Sequence, residues 1–179
     1  MRRIAKLVSC LAVMLLLALC SLCEAGTKKH YNEENGFSIE YPDDWDVSQN
    51  KRNVSKTVIV GIDSSKATED SFAVLAFVDV HETKDGVMLE EYFNSYLDFM
   101  RASYFGVKIH KQGDFSKKGV KAKWAIYDLY VGDNVVRNIT YFIVNGKKAY
   151  HATGGSSSEG FSKRLKTFES ILQTFEFNE

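Results

Sequence analysis

Four histidines, His30, His81, His110 and His151, are the first residues to weigh in this 179-residue chain. Imidazole is the side chain most suited to binding metals or moving protons near neutral pH. A metal site needs imidazoles at short spacing or converging on one pocket. These four stand in separate stretches with no His-x-His or His-x-x-x-His pair, so their spacing defines no metal centre. His30 falls in a polar stretch and is expected to face solvent; His151 falls beside a Gly-Gly pair and is expected at a polar sheet edge. The run Gly154-Gly155-Ser156-Ser157-Ser158 before a helix is the best place for an anion, because backbone N–H groups and the helix dipole would both face it. The same run also fits a plain strand-to-helix loop in which Ser156 and Glu159 form a capping box. No lysine stands where a P-loop needs one, since Lys163 falls a turn inside the helix. Asp43, Asp44 and Asp46 offer carboxylates to a hard cation such as calcium, although consecutive carboxylates after Pro42 also make a solvated turn. The acidic stretch from Asp63 to Asp70 lacks the glycine and closing glutamate of an EF-hand. Neither a Gly-x-Ser-x-Gly elbow nor a catalytic serine–lysine pair is present. The inventory predicts no catalytic residue, no metal site and no cofactor.

The first 25 residues read as a targeting signal: a basic leader (Arg2, Arg3, Lys6), an apolar run from Leu7 to Leu22, and the small residues Cys23 and Ala25 before Gly26. The expected cut lies after Ala25. The alternative is lipoprotein processing at Cys20 or Cys23, where Leu19 and Leu22 stand in place of the small residue a lipobox prefers. Cys10, Cys20 and Cys23 are the only cysteines, so a chain cut at Ala25 keeps no thiol for disulfides, catalysis or metal binding. Removing 25 of 179 residues leaves 154, enough for one domain with a sizeable core. The 23 basic and 23 acidic residues fall to 20 and 22, because three bases and Glu24 leave with the signal. A net charge near −2 gives no electrostatic reason to bind nucleic acid, and no polybasic patch suits anionic lipid.

The elements that must position any site follow from periodicity. Residues 26–35 are polar and expected as a flexible tail, with a single domain over 36–179. Phe37, Ile39 and Tyr41 alternate with Ser38 and Glu40, which predicts a half-buried strand ended by Pro42, and Trp45 is a core plug. Strands are expected near 57–62 and over Phe72–Val80, the latter central because both its faces are mostly apolar. A helix follows from Val87 to about Tyr104, with Leu89, Phe93, Tyr96, Leu97 and Met100 on one face and Asp85 as N-cap. After Gly106 come strands over Val107–Phe115, Val120–Val131, Val135–Val144 and Lys147–Thr153. Gly132-Asp133-Asn134 forms the first hairpin connection, and Asn145-Gly146 the centre of a type I′ turn. The closing helix carries Phe161, Leu165, Phe168, Leu172 and Phe175 on one face. Trp124, Tyr127, Tyr130, Tyr141 and Tyr150 make an aromatic-rich sheet whose outward members would form an interaction face. Asn53-Val54-Ser55 and Asn138-Ile139-Thr140 are glycosylation sequons, the second in mid-strand. Helices not interleaved with every strand argue for an α+β fold with an antiparallel sheet and helices on its faces.

The stretch Gly36-Phe37-Ser38-Ile39-Glu40-Tyr41-Pro42-Asp43-Asp44-Trp45 resembles the opening of PsbP-like proteins. The chain's end is also similar to theirs, in Tyr141-Phe142-Ile143-Val144, Asn145-Gly146-Lys147-Lys148-Ala149-Tyr150, Phe161, Phe168, Ile171 and Phe175-Glu176-Phe177. The resemblance spans Gly36 to Phe177 and rests on core and turn residues. It implies an α-β-α sandwich with a central antiparallel sheet. The family includes extrinsic photosystem II subunits, bacterial periplasmic proteins and a nuclear protein that binds the GTPase Ran; an exported chain does not fit the last. No photosystem-specific motif matches, so no binding site is carried over. The resulting expectation is a noncatalytic exported binding or accessory protein with a protein partner, such as a subunit or assembly factor of an envelope complex. The alternative is an extracytoplasmic carrier of a small molecule or metal ion, using a pocket between sheet and helix.

Overall fold

The computed structural model describes residues 26–45, 58–63 and 74–178. The leader, Asp46, the first sequon and most of the acidic connection after Asp63 lie outside the described residues. Among the described residues nine strands and two helices follow in the order β1 (Thr27–Asn32), β2 (Phe37–Pro42), β3 (Val58–Asp63), β4 (Val74–Glu82), α1 (Leu89–Ser103), β5 (Lys108–Lys117), β6 (Val120–Val131), β7 (Asn134–Asn145), β8 (Lys148–Ser157), α2 (Ser158–Leu172) and β9 (Glu176–Phe177). Six strands form one sheet in the order β3-β4-β8-β7-β6-β5, and β1-β2-β9 form a second, smaller one. All pairings are antiparallel. This is the α+β architecture that the element pattern implies.

Side-chain alternation assigns each face of the large sheet to one layer. Val74, Ala76, Val78 and Val80 of β4 join Val120, Ala122 and Ile126 of β6, Ile139, Tyr141 and Ile143 of β7, and Tyr150 and Ala152 of β8. Phe161, Phe168, Ile171 and Leu172 of α2 close over them, with Phe37, Ile39, Tyr41 and Trp45 from the small-sheet side. On the other face Phe93, Leu97 and Met100 of α1 pack on Ala125, Tyr127 and Phe142. Positions 93, 97 and 100 recur at helical spacing, so a single stripe faces the sheet.

Several expectations are corrected. Residues 27–32, expected as part of a tail, form β1 and pair with β2 over its whole length. His30 therefore has its Nε2 buried, and burial lowers its pKa. β4 is not central: it is second from the edge, and only alternate residues are buried. The N-cap of α1 is Met88, not Asp85, and Phe175 lies beyond the end of α2. The last two hairpins turn on two residues, because Val131 pairs with Asn134 and Asn145 with Lys148. Asn145 is thus a strand residue, and Gly146-Lys147 make the turn with positive φ at the glycine alone, the pattern of type II′.

The largest departure is at 154–157. These residues are not a loop; β8 continues through them, and α2 starts immediately after. Gly154 pairs with Ala76 and Ile139, and Gly155 with Leu75 and Asn138, so both glycines are ladder members between β4 and β7. Ser157 caps α2 without a side-chain hydrogen bond, so the expected Ser156–Glu159 capping box is absent. A Cβ on Gly154 would lie 2.5 Å from the Phe168 ring, and one on Gly155 would lie 2.3 Å from Asn138 Oδ1. Gly154→Ala should therefore cost about 1–3 kcal/mol in urea unfolding. Gly160→Ala, inside α2, meets the movable Ser157 Oγ at 3.3 Å and Arg164 Nε at an ordinary 3.6 Å, and should be neutral or gain up to about 1 kcal/mol.

Candidate functional site

The pairing of β4 with β8 sets Asp79 opposite His151 and places His81 one diagonal away on the same face. The two histidines, 70 positions apart in sequence, meet with ring centroids 4.5 Å apart. Tyr92 and Tyr96 of α1, one helical turn apart, reach down onto them. Tyr92 Oη lies 2.8 Å from His151 Nε2, the Tyr96 ring meets His151 edge-on at 4.4 Å, and Phe142 does so at 4.8 Å. His151 is 3 % exposed, so the expectation of a polar sheet-edge histidine is wrong: β8 is an interior strand and α1 covers this face.

Burial, and secondarily the neighbouring His81, lowers the His151 pKa to about 3. Burial also raises the Tyr92 phenol well above its ordinary value, and that of Tyr96 to about 12. Both partners are therefore neutral at physiological pH. The phenol is the stronger donor, so we assign Tyr92 O–H as donating to Nε2, which leaves the ring proton of His151 on Nδ1. A base titrating near 3 is poorly matched to proton transfer at neutral pH. No group of three or more His, Cys, Asp or Glu among the described residues could hold a metal ion. The cluster acts as a polar pin between α1 and the sheet.

A second polar knot lies on the opposite face. Arg137 donates two hydrogen bonds to the buried Asp128 carboxylate, from Nε at 2.6 Å and Nη2 at 2.9 Å, and His110 Nε2 stands 2.7 Å from Oδ2. Burial pushes the Asp128 pKa up, but the Arg137 and His110 contacts outweigh it and the net shift is downward. Both of its oxygens are engaged by cross-strand neighbours. Asp43 and Asp44 are exposed turn residues after Pro42. Asn138 is buried, so the second sequon cannot carry a glycan in the folded chain.

Two surface features remain. A cleft of about 410 Å³ opens between α2 and the start of β4, with Trp45, Val74 and Phe168 as floor and Lys163 and Arg164 at the rim. At the turn end of α1, Tyr104 and Phe105 are exposed and precede Gly106, which lies against the exposed Tyr130 of β6. Of the five sheet aromatics, Tyr127, Tyr141 and Tyr150 are buried and Trp124 half-buried; only Tyr130 faces outward. Phe105 and the His81–His151 pair were missed in the sequence, the first because a lone Phe before a Gly reads as a helix end, the second because strand pairing is nonlocal.

These elements define a class: an antiparallel sheet sandwiched between two helices, with a small accessory sheet. Comparison with solved structures makes the fold PsbP-like. Cyanobacterial PsbP (CyanoP) from Synechocystis sp. PCC 6803 superposes with a TM-score of 0.66 at 15% identity, over 87% of this chain and 95% of that one. The Ran-binding protein Mog1p of Saccharomyces cerevisiae gives 0.55 at 10% identity, over 86% and 96%. LpqN of Mycobacterium tuberculosis, a protein involved in cell envelope biogenesis, gives 0.52 at 9% identity, over 86% and 91%. No family model and no curated protein matches the sequence.

The pin carries a pH signature. The unfolded histidine titrates at its ordinary 6.5 and the folded one near 3. Between those values the unfolded chain binds a proton that the native chain does not, so His151 makes stability fall as pH drops through that window; above it the contribution is flat. Denaturant titrations between about pH 7 and about pH 4 should show this slope, reduced in His151→Gln. Tyr92→Phe leaves Nε2 buried without its donor and should cost about 1–3 kcal/mol.

Proposed function

We propose that this chain is a noncatalytic exported binding or accessory protein, working as a subunit or assembly factor of an envelope complex. The observation that carries the reading is the PsbP-like fold, shared across nearly the whole domain with a Ran-binding protein and with a protein of cell envelope biogenesis. Two pairings support it, because the buried His151 and Asp128 spend hydrogen bonds on the half-buried Tyr92 and Arg137, while His81 Nε2 is buried without a partner. The basic and apolar leader supports export. Among the described residues no helix is long and apolar enough to cross a membrane. The test is in vivo crosslinking in the native host followed by affinity capture of a C-terminally tagged chain. Reproducible recovery of one envelope complex is expected; recovery of nothing above a tag-only control overturns the reading.

The cleft beneath α2 favours a second reading, an extracytoplasmic small-molecule carrier. An apolar floor with cations at its rim suits a small amphipathic carboxylate. Medium-chain fatty acids would then raise the melting temperature in proportion to the logarithm of their concentration, because a ligand that binds only the native state stabilises it by mass action. A flat response across the saturating range removes the carrier.

A further inference from the structure

The exposed apolar side chains are not scattered evenly. Phe105 is 98 % exposed, and Tyr104, Tyr130 and Val131 are each about half exposed beside it. The tip is held in shape, since Gly106 adopts φ +75° and a Cβ there would meet the Tyr130 ring at 3.0 Å. The ring of Tyr130 thus lies on bare backbone and props the turn that presents Phe105. Burying a phenylalanine is among the larger apolar gains available, so a fully bare one on a shaped turn invites a partner.

The fold says where this tip lies relative to the start of the domain. Register places Val74 and Leu75 of β4, Gly155–Ser157 of β8, Val136 of β7 and Leu129–Tyr130 of β6 at one end of the large sheet. α2 begins at that end, directly after Ser157. Trp45 lines the cleft with Val74 and Gly160, so it is also there. Two residues before Trp45, the Asp43 N–H donates to the Gly26 carbonyl at 2.9 Å. Gly26 therefore sits at the same end as Phe105, and the residues that join onto it include the apolar run Leu7–Leu22.

We propose that this end of the domain faces a lipid bilayer, and that Phe105, flanked by Tyr104 and Tyr130, inserts into its interfacial region. A membrane is the occupant that both observations share. A lipidated Cys20 or Cys23 would hold Gly26 at a bilayer, and Tyr flanking an apolar Phe suits the layer where headgroups meet acyl chains. Described charges near the tip are mixed: Arg101 pairs with Asp98, Lys108 opens β5 and Asp133 sits in the β6–β7 turn. Attraction is therefore apolar rather than electrostatic, and it should persist in high salt. One aromatic tip binds weakly alone, so it orients a domain already brought to the surface. The proposal rests on the chain's start staying at the membrane, as the alternative processing at Cys20 or Cys23 would keep it and a cut after Ala25 would not, and not on the identity of any protein partner.

The full chain, as its host processes it, is mixed with vesicles of phosphatidylcholine and phosphatidylglycerol, either plain or carrying brominated acyl chains. In a Phe105→Trp variant the added indole emission should shift to the blue and be quenched by bromine. A Tyr31→Trp variant, changed at a residue 62 % exposed on β1, should show neither effect. Phe105→Ser should weaken vesicle partitioning of the leaderless form roughly tenfold without altering its melting curve, and added salt should leave the wild type bound. Equal emission in plain and brominated vesicles overturns the proposal. So does equal quenching at Tyr31→Trp, or a dimer in solution that Phe105→Ser dissociates. Capture of an envelope complex bears on the accessory reading alone, so the two can fail separately.

Discussion

β8 carries little side-chain volume where two layers press on it. Ala149, Ala152, Gly154 and Gly155 face α1 and α2 alternately, and the methyl groups of the two alanines are wholly buried. Phe168 lies directly against the Gly154 backbone, and the amide of Asn138 against Gly155. α2 can seat only if that surface stays bare. The same strand must also pair on both sides, with β4 and with β7. Close packing on both faces and hydrogen bonding on both edges make it the most constrained element of the molecule. The exceptions on its two faces are His151, which needs a polar partner because it is buried, and Tyr150, whose hydroxyl donates to the Asn35 carbonyl and so ties the small-sheet turn to the large sheet.

That constraint explains which parts of the fold were legible. The alternation of β6 and β7, the two amphipathic helices and Trp45 as a core plug depend on local periodicity, and local periodicity is written in neighbouring residues. Gly154 and Gly155 misled because a glycine pair followed by serines is the ordinary chemistry of a loop. Here the glycines answer a tertiary requirement, the approach of Phe168 and Asn138, which no neighbour in sequence encodes. The turn after Asn145 shifted by one residue for a related reason: type I′ and type II′ both favour glycine, and the β7–β8 register decides between them. β1 looked like a tail because its pattern is polar, yet it is an edge strand of a small sheet and needs little apolar surface. Lys29 on that strand and Lys118 on the β5–β6 turn both bond Glu176 of β9, holding its carboxyl pKa down at about 2.

The candidate site was less legible than the fold. Each histidine stands alone in its stretch, and only the pairing of β4 with β8 brings His81 and His151 together. What strand pairing assembles is a neutral, aromatic environment, and that environment decides the chemistry. Desolvation suppresses the imidazolium and the phenolate alike, leaving a hydrogen bond between neutral groups under a helix. Polar groups of this kind specify how α1 docks. The likeness to CyanoP, Mog1p and LpqN at 9–15% identity fits the same division of labour. A sheet and two helices can be maintained by apolar volume and turn glycines while the outer surface diverges.

A consequence concerns where variation is cheap. The end of the sheet opposite the aromatic tip is tied down: the turn before β2 bonds Tyr150, Lys148 reaches the Glu34 carbonyl, and the Thr83 N–H donates to Lys147. The Phe105 end gathers the chain's entry at Gly26, the cleft by Trp45, the start of α2 and the turn after α1. Between α1 and β5 the chain needs only to reverse direction, and Gly106 alone satisfies that requirement. Phe105, 98 % exposed, is therefore free of any packing duty in the core, and a large apolar side chain kept at full exposure loses nothing to the fold and gains nothing from it.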